Sequence, residues 1–279
     1  MHLVAWVALC LAVSASLRRR PAAAVVLGLA IWTIVPGVAS TQLTGHVSNS
    51  LAVHAGTWLL LTTFLMYLVT DPRGLGEALA CRFPTYLAIL LVIVAAVLET
   101  KSGSARSGVT LAVDEMVAPF LAFWILAAVA RTRPTEMLLV RNWLVGLGAG
   151  EAAFAIIQYL SKNVLLYGSF FAHRYWFKPG WERWMGTTDH PLVLSMLLCA
   201  AIPLVAGLRR TWIQPALLVT FLIAIVITQS RTGVIAGGIG AIYVVLASRT
   251  STLRKIVTIT GMSVAAVLIA TSSLSTGIV

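Results

Sequence analysis

The stretch WIQPALLVTFLIAIVITQSRTGVIAGGIGAIYVVLA, residues 212–247, decides the fold class. Its two apolar runs, 212–229 and 233–247, flank a turn whose Arg231 is the only charge in the stretch. Neither run carries the polar face that a helix on a water-soluble core needs. Neither shows the period-two alternation of an outer-membrane barrel strand. Runs of the same texture lie on both sides, at 2–17, 22–39, 55–70, 84–98, 115–130, 142–160, 191–208 and 256–271. The reading is an all-α, polytopic transmembrane helical bundle of about ten spans, a single membrane domain over 1–279. Several runs fall short of the ~20 residues that cross a ~30 Å hydrocarbon core, so their ends draw on flanking Thr, Ser, Gly and aromatic residues.

Composition points the same way. Of 279 residues, 59% are hydrophobic and 10% charged, against about 45–50% and about 25% in a soluble domain. So few charges cannot cover a globule of this size, and hydrophobicity this high excludes a disordered chain. Cys10, Cys81 and Cys199 are scattered, which excludes a disulfide framework and a redox motif. The net charge of +11 is not a nucleic-acid signal. There is no basic helix, and the one basic run, Arg18-Arg19-Arg20, sits between apolar stretches as the flank of a membrane helix does. The expected partner is the lipid bilayer, with no nucleic acid.

With ten spans the connections alternate sides. One side receives Arg18, Arg19, Arg20, Arg73, Arg82, Arg131, Arg133, Arg141, Arg209, Arg210, Arg249, Arg254 and Lys255 against Asp71, Glu77 and Glu136. The other receives Lys101, Arg106, Lys162, Arg174, Lys178, Arg183 and Arg231 against Glu99, Asp114, Glu115, Glu182 and Asp189. The richer side is cytoplasmic by the positive-inside rule, which leaves both termini extracytoplasmic. The longest connection, 161–190, is an aromatic-rich external loop that includes Tyr175, Trp176, Phe177, Trp181 and Trp184. Aromatics mixed with charges suit the headgroup belt and the sugar level alike.

Three constellations carry chemistry. Arg183-Trp184-Met185-Gly186-Thr187-Thr188-Asp189-His190-Pro191 leads into the run from Leu192, with Thr188 or Asp189 able to cap the helix and Pro191 in its first turn. It is either an anion site with Arg183 as a bidentate partner, or a capped helix beside an ordinary interfacial arginine. In Gln229-Ser230-Arg231-Thr232-Gly233 the turn is so tight that Arg231 is expected to point back into the bundle. There it either ties a neighbouring carbonyl or recognises a phosphate. Gly233, Gly237, Gly238 and Gly240 bare one face of the following helix for close contact. Glu151 and Gln158 lie seven residues apart on one helix face. An intramembrane acid reads as a proton relay, an ion site or an arginine's partner, unless Glu151 reaches cytoplasmic water or Arg141. His46 and His54 lack metal-ligand spacing and read as surface residues. No nucleotide-binding glycine motif is present, and no metal or cofactor is expected.

The first two constellations together resemble the O-antigen ligase and O-antigen polymerase superfamily, which includes teichuronic-acid polymerase-like proteins. The matching positions are Arg183, Gly186, His190 and Pro191 before a helix, then Ser230, Arg231 and Gly233 about forty residues later. Leu192 stands where the family has Asn, Thr232 where it has Gly, and the clear resemblance covers about 180–247. The resemblance implies a multi-pass protein of the bacterial cytoplasmic (inner) membrane. It implies a metal-independent glycosyltransferase that moves a glycan from an undecaprenyl-diphosphate donor to a glycan or lipid-linked acceptor at the outer face. Arg183 and Arg231 would hold the donor diphosphate, where charge develops as the glycosidic bond breaks. The family's base histidine lies in a large external loop that would follow Val279, so the chain is expected to be a truncated form with its catalytic residue unknown. The alternatives are a solute or lipid-glycan transporter or flippase with Glu151 and Gln158 on its path, and a non-enzymatic membrane scaffold.

Overall fold

The computed structural model describes residues 2–45, 53–99, 105–171, 183–210, 212–247 and 255. Among them every regular element is helical and none is a strand. In chain order they are α1 (His2–Ser16), α2 (Pro21–Ile34), α3 (Gly37–Thr44), α4 (Ala55–Thr70), α5 (Pro72–Cys81), α6 (Phe83–Glu99) and α7 (Ala105–Ala112). A π-helical turn (Val113–Val117) then leads into α8 (Ala118–Thr132). The remainder are α9 (Pro134–Ser161), α10 (Gly168–Phe171), α11 (Pro191–Val205), α12 (Ile213–Ile227) and α13 (Arg231–Ala247).

The apolar runs up to 247 fall on these helices, and 256–271 lies outside the described residues. Fewer helices qualify as membrane crossings than there are runs. Among the described residues two are long and apolar enough, Val109–Thr132 with 24 residues and Pro134–Ser161 with 28. The number rises to 4 if each of two bent pairs is one span. The about ten crossings expected from hydropathy, and the sidedness of the termini that depends on that number, do not follow from these lengths. Helices α1, α11 and α12, at 15 residues each, rise only about 22 Å.

Local chemistry explains the breaks. The run 22–39 divides at Val35-Pro36, where α2 and α3 meet at 115°. Proline has no amide hydrogen and forces the preceding residue into extended backbone, as found at Val35 (φ −102°, ψ 105°). Helices α5 and α6 meet at 93° across Arg82, just before Phe83-Pro84. By contrast α9 has proline only at its first residue and runs 28 residues, about 42 Å, to a left-handed Lys162.

Contacts group the chain into two compact units, Met1–Trp143 and Leu144–Val279. In the first, α4 packs between α1 and α2 and also meets α8. Gly28 and Gly56 let α2 and α4 close: a Cβ on Gly56 would stand 2.7 Å from the Gly28 carbonyl. Ser14 of α1 bonds Thr62 and Thr63 of α4 at 3.0 and 3.1 Å. In the second unit, Val145, Ala152 and Ala155 of α9 join Leu194, Leu198 and Ile202 of α11 and Phe221 and Ile225 of α12 in one core, which α13 closes with Ala241 and Val244. This core holds the stretch 183–191 in place.

Candidate functional site

Helix α9 presents the spacing 148, 152, 155 to its core, and the same face carries Glu151 and Gln158. Both are buried, at 4% and 0% exposure, so their polar atoms need partners inside the protein. The partners come from the stretch before α11. Glu151 Oε2 accepts from the Thr187 amide at 2.9 Å and Oε1 from the Thr187 hydroxyl at 2.5 Å. Gln158 donates to the Gly186 carbonyl at 2.8 Å and accepts from the Gly186 amide at 3.1 Å. Gly186 sits at φ +64°, and a Cβ there would stand 2.5 Å from Glu151 Oε2. Only glycine fits both the backbone and the space.

The same stretch reaches the end of α12 on its other side. Arg183 Nε donates to the Thr228 carbonyl at 3.1 Å, and the Trp184 amide to the Ile227 carbonyl at 3.3 Å. These are C-terminal helix carbonyls with no intrahelical donor, and a cation beside them also opposes the negative dipole end. Ser230 Oγ accepts from the Gly233 amide at 3.1 Å and starts α13. Gly233 packs on Ser195 of α11, with a Cβ position only 2.8 Å from the serine Cβ. The two stretches that were separate in the sequence therefore adjoin.

Several readings differ from what the structure shows. Arg231 does not turn inward: it is exposed, and among the described residues it makes no ion pair or side-chain hydrogen bond. Gly233 faces the core and Arg231 is two residues away, about 200° around the helix, so it must face out. The cap of α11 is neither Thr188 nor Asp189 but His190, whose Nδ1 accepts from the Leu192 amide at 3.1 Å. Thr188 instead donates to the Met185 carbonyl at 2.7 Å. Glu151 meets Thr187 and not Arg141, whose guanidinium lies on Asn142. Of the four glycines expected to bare one face of α13, Gly233, Gly237 and Gly240 meet α11 or α12, while Gly238 has nothing within 4 Å.

Burial holds the His190 imidazole below its usual range, and the nearby Arg183 charge adds to this against an opposing pull from Asp189. Pro191 occupies the first turn of α11, where its missing amide costs nothing. Tyr175, Trp176, Phe177 and Trp181 of the aromatic loop, and His46, lie outside the described residues. Among the described residues no cluster of His, Cys, Asp or Glu has the makings of a metal site.

A second polar cluster, in the first unit, joins residues that the sequence left apart. The His54 amide donates to both Asp114 oxygens at 2.9 and 3.1 Å, and the Thr57 hydroxyl to one of them at 2.7 Å. The His54 ring links the end of α2 to the start of α4: Nε2 bonds the Val35 carbonyl at 2.6 Å and Nδ1 accepts from the Gly56 amide at 3.1 Å. His54 is thus buried and structural rather than a surface residue. The available sequence signal was Asp114 beside the apolar run 115–130, an acid that must find donors. A groove of about 460 Å³ between α6 and the π-turn with α8 is lined by apolar residues such as Val92, Met116 and Phe120, and by Glu115. Comparison with known protein families, with curated proteins and with solved structures finds no match for this chain.

Proposed function

We propose that this chain binds an undecaprenyl-diphosphate-linked glycan at the outer face of the bacterial cytoplasmic membrane, as a surface-polysaccharide ligase or polymerase-like protein. In that reading it is a multi-pass protein of about ten spans with both termini outside. Its other partner is a glycan or lipid-linked acceptor, and any transfer needs no metal. The observation that carries the reading is the juxtaposition of 183–191 with the 228–233 turn, beside which Arg231 is exposed and has no side-chain partner among the described residues. A guanidinium free of carboxylates at a helix start suits a diphosphate, through both its charge and its fork of donors. The transport alternative is favoured less, because Glu151 and Gln158 already spend their polar atoms on Thr187 and Gly186.

The test is binding of undecaprenyl diphosphate to the full chain in lipid nanodiscs, with and without the double substitution Arg183→Ala, Arg231→Ala. Loss of at least about tenfold in affinity is expected, equivalent to about 1.4 kcal/mol. An unchanged affinity overturns the proposal.

A further inference from the structure

The two arginines of the site are placed differently. Helices α12 and α13 are joined through Thr228-Gln229-Ser230, and Gln229 takes a left-handed backbone at φ +53°. A residue with a side chain rarely holds that conformation on its own, so the surroundings must enforce it. Part of the enforcement is local: the Thr228 hydroxyl donates to the Ile225 carbonyl at 2.6 Å and accepts from the Ser230 amide at 3.3 Å. A further part comes from the distant stretch before α11, through Arg183 Nε on the Thr228 carbonyl and the Trp184 amide on the Ile227 carbonyl. That stretch is itself pinned to α9 by Glu151 and Gln158. A continuous set of hydrogen bonds thus runs from the buried face of α9 to the turn that starts α13. Arg231 stands at its far end, exposed, and close packing of Gly233 on Ser195 fixes the rotation of its helix.

We propose that Arg183 is a positioning residue that fixes the Gln229–Ser230 turn through its Nε on the Thr228 carbonyl, and that Arg231 is the arginine that contacts the diphosphate. This rests on the function proposed above. An arginine that grips a phosphate along the Nε edge of its guanidinium needs that Nε–H for the ligand, whereas here it is directed at a backbone carbonyl. The end of α12 that it meets carries partial negative charge, which favours a cation and disfavours a phosphate at the same spot.

Glutamine provides a clean separation of roles, because its Nε2 stands the same number of bonds from the backbone as arginine Nε. Arg183→Gln keeps a donor for the Thr228 carbonyl and removes the charge and the fork. Arg183→Met keeps the reach and removes the donor. With undecaprenyl diphosphate as probe and the full chain in nanodiscs, Arg183→Gln is expected to bind within about threefold of the unsubstituted protein. Arg183→Met and Arg231→Gln are each expected to bind at least about tenfold more weakly. Amide hydrogen exchange at 229–231, measured without ligand, is expected to accelerate in Arg183→Met and not in Arg183→Gln. Equal loss of affinity in Arg183→Gln and Arg183→Met overturns the inference and leaves the proposed function standing. Equal exchange in the two variants also overturns it, whatever binds. Failure of the unsubstituted chain to bind overturns the proposed function, and the tie is then judged on exchange alone.

Discussion

Gly186 meets Glu151 on one side and Gln158 on the other, and its backbone lies in the left-handed region. Gly186→Ala therefore suffers both the roughly 1–2 kcal/mol of left-handed strain and displacement of a buried, bonded carboxylate, at about 1–3 kcal/mol. A fall of several degrees in the thermal midpoint of the detergent-solubilised chain is expected. Gly146→Ala is the control: its Cβ meets nothing within 4 Å, so on α9 it is expected to be neutral or to stabilise by about 0.5–1 kcal/mol. A midpoint for Gly186→Ala equal to that of Gly146→Ala would remove the pin from the account. The sharing of one face by Glu151 and Gln158 was legible from their spacing of seven. Their partners were not, because Gly186 and Thr187 approach from a stretch about thirty residues downstream and no local rule pairs them. The outward direction of Arg231 was equally illegible, since it depends on which face of α13 packs on α11.

At the scale of the element, the start of α11 depends on the protonation of His190. Its Nδ1 must be neutral to accept the Leu192 amide, and burial with the Arg183 charge already depresses its pKa. A group depressed in the fold stabilises the protein above its ordinary pKa, near 6.5, and that stability is lost as pH falls through the folded value. The thermal midpoint is expected to drop between pH 7.5 and 5. In His190→Asn, which caps without titrating, the drop should be smaller. Parallel pH curves for the two proteins count against the cap. The helices themselves could be read from the apolar runs, and Pro36 and Pro84 mark the breaks. The bend of 115° at Val35-Pro36 could not be read, because the His54 ring that joins the Val35 carbonyl to the start of α4 is itself a tertiary contact.

For the whole molecule, the number of crossings and the side on which each connection lies can be measured directly. In the ten-span reading, alkaline phosphatase fused after Gly103 is expected to be active and after Thr135 inactive. Equal activity at the two sites overturns that arrangement. Sequence alone indicated helices and an unusually apolar chain, and every regular element among the described residues is helical, because composition and the length of apolar runs are local quantities that set backbone hydrogen bonding and solvent preference. It also indicated which side chains carry charge into apolar surroundings. Tertiary structure decided which of those charges are consumed by the protein: Glu151 by Thr187, Asp114 by the start of α4, Arg183 by the end of α12, with Arg231 left exposed. The reason is that a buried polar group takes the donor or acceptor that packing brings within about 3 Å, and packing joins residues far apart in the chain.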